Sequence, residues 1–138
     1  MSRGKLYASY SSLAPKKEPE PSYKCIEIQS LEHRKQVISE NAIVCFDLYA
    51  TWCEPCKILA PQYTKLAQQY SSPGRCLMVK ENVDLELTRD YQITGIPAFI
   101  FYRKGQLLRN QDGSPVHVIG GDLKAVQEIM DKLLGQGV

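Results

Sequence analysis

The arrangement of apolar residues along the chain differs between the segments predicted to be strands and those predicted to be helices. From Ile43 to Tyr49 they form a nearly continuous run interrupted by Asp47, as is typical of a strand buried on both faces. From about Pro55 to Tyr70 they return every three or four residues, as they do on one face of an amphipathic helix. The two segments predict a strand that leads through a short loop into a helix.

Similar spacings predict the rest of an α/β domain. Further strands are expected at Cys25–Ile28, Cys76–Val83, Ala98–Tyr102 and Leu107–Arg109, with Val116–Ile119 continuing the last one beyond a loop. Further helices are expected at about Ser30–Ser39, Leu85–Tyr91 and Leu123–Leu133. This order predicts a mixed central sheet of about five strands flanked on both faces by about four helices.

The first 22 residues differ from the remainder. They contain three prolines and no apolar periodicity, so residues 1–22 are expected to form a disordered tail and residues 23–138 the folded domain. Organelle targeting is the alternative for the tail, because residues 1–17 contain no acid and several serines. They show no Arg-rich amphipathic pattern, however.

The charge distribution and the cysteines narrow the class of protein. Four of the 17 basic and two of the 15 acidic residues lie in residues 1–22, so the net charge of +2 belongs to the tail. A neutral domain without a basic stripe is not expected to bind nucleic acid. There is no apolar run of about 18 residues for a membrane span, and no apolar segment typical of a signal peptide. Five cysteines cannot all pair within one chain, so a reducing compartment, the cytoplasm, is expected.

Two of the cysteines lie where the central strand leads into the helix. Cys53 and Cys56 are three positions apart, close enough to form a bridge within one helical turn. At a helix N-terminus, unpaired N–H groups and the helix dipole favour a thiolate, which makes Cys53 the stronger nucleophile. Pro55 suits the first turn, where its missing N–H costs nothing. The spacing therefore indicates thiol–disulfide chemistry.

Zinc binding is the competing interpretation of such a pair. A structural zinc site needs four ligands, and the other candidates lie apart without ligand spacing: Cys25, Cys45, Cys76, His33 and His117. No metal or other cofactor is expected. The three remaining cysteines are expected to be buried strand residues, and Cys76, beside a Pro-Gly loop, to be the most exposed of them.

Residues 52–57 resemble the active site of the thioredoxin family, whose usual motif is Trp-Cys-Gly-Pro-Cys-Lys. The chain matches this motif except at Glu54. Further matches are Asp47 with the buried aspartate of the family, Pro61 with the proline that kinks the active-site helix, Ile96-Pro97 with the cis-proline loop, and Lys80 with the lysine that faces the aspartate. The resemblance covers about Tyr23 to Leu134 and implies a thioredoxin fold.

The resemblance implies a role for each of these residues. Cys53 is the nucleophile and Cys56 the resolving thiol. Asp47 is the proton acceptor for Cys56, because burial raises the pKa of a carboxyl group, and Lys80 is its partner. Pro97 is implied to be cis. From residue chemistry alone, the alternative for Asp47 is a polar residue satisfied by local hydrogen bonds, and Pro97 is most simply a turn residue.

A shallow groove for partner proteins is expected around the two cysteines. Its expected residues are Trp52, Glu54, Pro55, Ile96, Gly120 and Gly121. The alternative for Trp52 is that it packs against the domain and does not contact partners. Two departures from the family bear on partner choice: Ala98 replaces a common threonine, and Tyr49 replaces a frequent tryptophan. The loop at residues 111–115 is also longer than usual.

The function implied is reduction of disulfide-containing proteins by a monomer that a thioredoxin reductase recharges. An oxidase or isomerase like protein disulfide isomerase is less consistent with Glu54-Pro55, where that family usually has Gly-His. Two further functions fit the same residues. One is a specialised electron donor for a single partner, and the other is a binding subunit that uses the same surface without turnover.

Overall fold

The computed structural model describes residues 25–83 and 91–136. Within them, the elements follow the order α1 Leu31–Glu40, β1 Ile43–Tyr49, α2 Glu54–Tyr70, β2 Cys76–Asn82, β3 Ala98–Arg103, β4 Gln106–Leu107, β5 His117–Ile119 and α3 Leu123–Leu134. The expected tail over residues 1–22, and all but the last residue of the helix expected at Leu85–Tyr91, lie outside the described residues. The described part thus contains three of the expected four helices.

The five strands form one mixed sheet, as expected from the order of elements. The strand order is β2-β1-β3-β4, and β5 also pairs with β3. β1 runs parallel to β2 and antiparallel to β3, so it has a neighbour on each side. This central position explains the continuous apolar run of β1, because both of its faces are covered.

The expected strand at Cys25–Ile28 is reduced to a single bridge. Glu27 pairs with Lys80 at the outer edge of β2, and two backbone hydrogen bonds of 2.9 Å flank the bridge. The segment is extended and parallel to β2, but it is too short for a regular strand. Val116–Ile119 likewise does not continue β4; instead His117–Ile119 is a separate strand beside the start of β3.

Helix starts agree with local capping signals. The Ser30 hydroxyl accepts a 3.0 Å hydrogen bond from the His33 amide at the start of α1. The Asp122 carboxylate caps α3 in the same way, through the Ala125 amide at 3.1 Å. No helix in the described part of the chain is long and apolar enough to cross a bilayer.

A buried tyrosine fixes α2 to the sheet. The Tyr63 side chain is buried, and its hydroxyl donates a 2.7 Å hydrogen bond to the Val79 carbonyl on β2. The Cys45 carbonyl on β1 lies 3.2 Å from the same hydroxyl. Since Cys56 lies in the first turn of α2 and Cys53 is its N-cap, this contact helps to fix their position relative to the two strands.

Candidate active site

Cys53 and Cys56 lie at the start of α2 and form a disulfide. Their Cα atoms are 5.3 Å apart, and each residue is only 5% exposed. Cys53 is the N-cap of the helix, where its Sγ accepts a 3.3 Å hydrogen bond from the Cys56 amide. The sulfur therefore occupies the position at which helix N–H groups stabilise a developing thiolate.

The residues between the cysteines face solvent. Glu54 is the first residue of α2 and Pro55 the second, and both are exposed. A proline tolerates this position because the first N–H groups of a helix have no intrahelical partner. The Glu54 carboxylate pairs with Lys57 at 3.9 Å, so part of its charge is neutralised beside Cys53. Pro61, further along, lies inside the helix.

Asp47 lies on β1 beneath the cysteines. It is 6% exposed, and its Oδ1 has no hydrogen-bond partner among the described residues. Burial raises the pKa of its carboxyl group to about 7, although the nearby Lys80 ammonium lowers it. The alternative role for Asp47, a polar residue whose carboxylate is satisfied by local hydrogen bonds, therefore does not hold for Oδ1.

A cavity connects the carboxylate to the second cysteine. Its volume is about 280 Å³, and Asp47, Cys56, Lys57 and Lys80 are among the residues that line it. A cavity of this size that several polar side chains line has room for water molecules. Asp47 and Cys56 therefore share one cavity that is large enough for water between them.

Lys80 is held by contacts on the same face of the sheet. It is the register partner of Asp47, and its Nζ lies 5.8 Å from the centre of the Tyr49 ring. The Tyr49 hydroxyl donates a hydrogen bond to the Glu27 carboxylate. The sequence did not predict this contact, because Glu27 and Tyr49 are 22 positions apart and come together only once the edge segment pairs with β2.

The expected proline loop packs against the cysteines. Ile96 contacts the small cluster that Ala50, Cys53 and Cys56 form. The Ile96–Pro97 peptide bond is cis, and Pro97 is buried. Its carbonyl accepts a 2.7 Å hydrogen bond from the Gly120 amide.

The two glycines of the predicted groove differ in their requirements. Gly120 has φ of 94°, a conformation that strongly favours glycine. A Cβ on Gly121 would be 3.5 Å from Leu59, an ordinary contact. The backbone of Gly120 therefore explains why glycine occurs there, whereas that of Gly121 does not.

Exposed apolar side chains surround the disulfide. Trp52 is 68% exposed, which excludes a role as a buried packing residue. Ile58, on the first turns of α2, is 66% exposed and was not predicted as a site residue. It lies off the buried stripe that Leu59 and Tyr63 begin, and a large apolar residue at such a position is the signal that could have identified it.

The other three thiols are unsuited to nucleophilic chemistry. Burial raises the pKa of the Cys25 thiol to about 12 and that of Cys76 to about 11, and it raises the pKa of Cys45 well above its ordinary value. The expectation that Cys76 is the most exposed of the three was wrong. Cys76 is completely buried because it begins β2 facing the core, whereas Cys25 at the sheet edge is half-buried. No group of three or more His, Cys, Asp or Glu residues in the described ranges has a metal-binding arrangement.

Comparisons with known proteins agree with this geometry. The thioredoxin family model matches residues 24–120. Thioredoxin of Neurospora crassa is 30% identical over 108 residues, which cover 77% of this chain and 84% of that protein. Protein disulfide-isomerase of Drosophila melanogaster is 37% identical over 97 residues, or 68% of this chain; the match spans only 18% of that longer protein.

The architecture agrees as well. Oxidised mitochondrial thioredoxin 3 of Saccharomyces cerevisiae superposes with a TM-score of 0.66 at 29% identity, covering 79% of this chain and 95% of that one. The mixed sheet and its helices are thus the thioredoxin fold that the motif implied. The family match over most of the chain and the disulfide at the start of α2 together show that this chain belongs to the thioredoxin family of thiol–disulfide oxidoreductases.

Proposed function

We propose that this chain reduces disulfides in other proteins by cycling Cys53 and Cys56 between dithiol and disulfide. One observation carries the proposal: the disulfide closes the first turn of α2 directly beside a buried carboxylate that lacks a hydrogen-bond partner on one oxygen among the described residues. A purely structural bridge has no need of such a carboxylate, since burying it unpaired is unfavourable.

The first step uses the helix N-terminus. In the reduced protein, the Cys53 thiolate attacks one sulfur of a partner disulfide. The partner's S–S bond breaks, its other sulfur leaves as a thiolate, and a mixed disulfide joins Cys53 to the partner. The amide of Cys56, which contacts the Cys53 sulfur in the oxidised chain, is placed to stabilise the attacking thiolate.

The second step uses Asp47. Its carboxylate accepts the proton of the Cys56 thiol, and the new thiolate attacks the Cys53 sulfur. The mixed disulfide breaks, the partner leaves with its second thiol, and Cys53–Cys56 is oxidised by two electrons. A pKa of about 7 suits this acceptor, because the carboxylate is then substantially ionised at neutral pH yet basic enough to accept a proton.

The proline loop supports docking of an extended segment. The backbone N–H and C=O of Ile96 form no backbone hydrogen bond with any residue in the described ranges, so they are open to a partner strand. Pro97 has no N–H that would compete for the thiolate. Trp52, Ile58 and the Gly120–Gly121 turn would border such a segment with apolar and small groups.

The remaining parts of the proposal concern supply and setting. A thioredoxin reductase would return two electrons to the disulfide, and no further cofactor is needed. We place the chain in a reducing compartment, the cytoplasm, because a dithiol reductant must be kept reduced between turnovers. We propose that it acts there as a monomer.

Insulin reduction with dithiothreitol tests the proposal. The wild-type chain is expected to accelerate precipitation of the insulin B chain, and Cys53→Ser to abolish the acceleration. Cys25→Ser is the matched control and is expected to retain it. No acceleration by the wild-type chain would overturn the proposal and favour a binding subunit without turnover.

A trapping variant separates a general from a dedicated reductant. Cys56→Ser cannot resolve the mixed disulfide, so natural partners stay attached to Cys53. Many trapped proteins would support general reduction. A single trapped species would identify a specialised electron donor.

A further inference from the structure

A second concave site lies at the end of the domain opposite the disulfide. The cavity has a volume of about 530 Å³, within the range of small-molecule sites. Arg103, at the end of β3, lines it, whereas Ala98 at the start of β3 follows the proline loop beside the cysteines. The length of this strand separates the two ends by about 17 Å.

The floor of the cavity is apolar. Leu108, Val116 and Ile129 line it and pack as partly buried residues against the main core, and the buried Leu133 adjoins them. These side chains come from the two sides of the long loop after β4 and from α3. A floor of this kind favours a hydrocarbon chain or ring.

Positive charges surround this floor. Arg103, Arg109 and Lys132 line the cavity together with one carboxylate, Glu128. No salt bridge neutralises the three cations within residues 25–83 and 91–136. The Arg103 Nε is buried and has no hydrogen-bond partner among those residues, so no protein acceptor is assigned to this part of the guanidinium that lines the cavity.

The loop that forms one wall is internally bonded. The Leu108 amide donates to the Phe101 carbonyl, and the Val116 amide to the Leu108 carbonyl, at 2.8 and 2.9 Å. The Arg109 guanidinium donates to the Gly113 carbonyl at 2.9 Å. Because these backbone groups are satisfied, the wall offers side chains rather than a strand edge, which favours a small molecule over a peptide strand.

We propose that this cavity binds a small amphipathic carboxylate, with the apolar chain on the floor and the anionic group among Arg103, Arg109 and Lys132. Such a site is separate from the disulfide and independent of its activity. Occupant and cavity match in charge and in polarity.

Nuclear magnetic resonance on the full oxidised chain tests the proposal with octanoate, octylammonium and octanol as probes. Octanoate is expected to give saturable amide shifts confined to residues 103–116 and 125–136. It should bind about tenfold more tightly than octylammonium or octanol, because three cations and one carboxylate line the cavity and only octanoate carries a negative charge. Equal binding of octanoate and octylammonium would overturn the proposal, as would shifts spread over the whole domain.

Matched variants locate the site. Lys132→Glu is expected to weaken octanoate binding about tenfold, whereas Lys124→Glu, on the same helix but outside the cavity, is expected to leave it unchanged. Ala125→Phe fills the cavity without changing its charge and should abolish binding. Equal effects of the two lysine variants would contradict the assignment. Lining resonances that shift when the protein alone is diluted would instead assign the cavity to a second copy of the chain.

Discussion

Asp47 and Lys80 occupy paired positions on the adjacent strands β1 and β2, yet no salt bridge joins these two described residues. The Lys80 ammonium instead lies over the Tyr49 ring. Its charge still lowers the pKa of Asp47, but burial dominates and the carboxyl group titrates near neutrality. A direct ion pair would hold the carboxylate ionised and weaken it as a base. Because the Lys80 ammonium does not form an ion pair with Asp47, the Asp47 carboxylate remains able to accept a proton.

Removing Lys80 is expected to raise the pKa of Asp47 further. In Lys80→Gln, the positive charge that opposes the effect of burial on this carboxyl group is lost, and the pKa should rise by about one unit. A carboxyl carbon NMR titration of the oxidised protein measures it. Lys65→Gln, on an exposed part of α2, is the matched control. An unchanged Asp47 titration in Lys80→Gln would show that the two charges are not coupled.

Asp47→Asn is expected to stabilise the oxidised protein at high pH. The folded pKa of about 7 lies above the ordinary 3.8, so the folded state binds the proton more tightly and stability falls as pH rises between these values. The difference from wild type should be small at pH 4 and on the order of 2–4 kcal/mol at pH 8. Urea unfolding at both pH values measures it, with the exposed Glu128→Gln as control. A gain that is the same at both pH values would contradict the assignment to this carboxylate.

Glu54 is expected to make Cys53 less acidic in the reduced protein. Glu54 follows Cys53 directly in the chain, and its carboxylate repels the thiolate that the helix dipole favours, although Lys57 offsets part of its charge. In Glu54→Gly the pKa of Cys53 should therefore fall, by about half a unit, and the pair should become less reducing. The pH dependence of iodoacetamide alkylation measures this, and Glu54→Gln controls for the backbone freedom of glycine. Identical alkylation curves for the wild type, Glu54→Gly and Glu54→Gln would contradict this prediction.

The exposed Trp52 and Ile58 are expected to contribute to partner binding rather than to sulfur reactivity. Ile58→Ser should raise KM for insulin by about threefold to tenfold, because it removes apolar area that a partner would cover. The alkylation rate of Cys53 should not change. Leu31→Ser, at an exposed apolar residue on α1, is the control. A slower alkylation together with an unchanged KM would contradict a docking role.

The thiols outside the motif are expected to be inert in the folded, reduced protein. Their raised pKa values leave almost no thiolate at pH 7. Mass spectrometry after brief alkylation should find the first label at Cys53, and label on Cys25, Cys45 and Cys76 only after unfolding. Label on Cys25 as early as on Cys53 would show that the sheet edge is open.

Local signals predicted the elements that carry the site. The continuous apolar run of β1, the three- to four-residue spacing of α2 and the Ser30 cap are properties of neighbouring residues, so they can be read without knowing the fold. The motif also located both cysteines, and the wider resemblance to the family located Asp47. These predictions needed no pairing between distant segments.

Most of the features that sequence reasoning missed depend on such pairing; the exposed Ile58, which a local signal could have identified, is an exception. Whether Cys25–Ile28 forms a strand depends on how many of its residues pair with the outer edge of β2, and the result is one bridge at Glu27. The relative exposure of Cys25 and Cys76 follows from the same strand order. The contact between Tyr49 and Glu27 and the separation of His117–Ile119 from β4 are likewise consequences of register.

Tyr63 has a consequence for the choice of partners. Because its hydroxyl holds the middle of α2 against β1 and β2, the cysteines cannot advance toward a disulfide that is recessed in another protein. We therefore expect the partner to supply the movement. Its disulfide should belong to a segment that can unfold locally and lie flat, so the protein that changes shape during electron exchange is the oxidised partner.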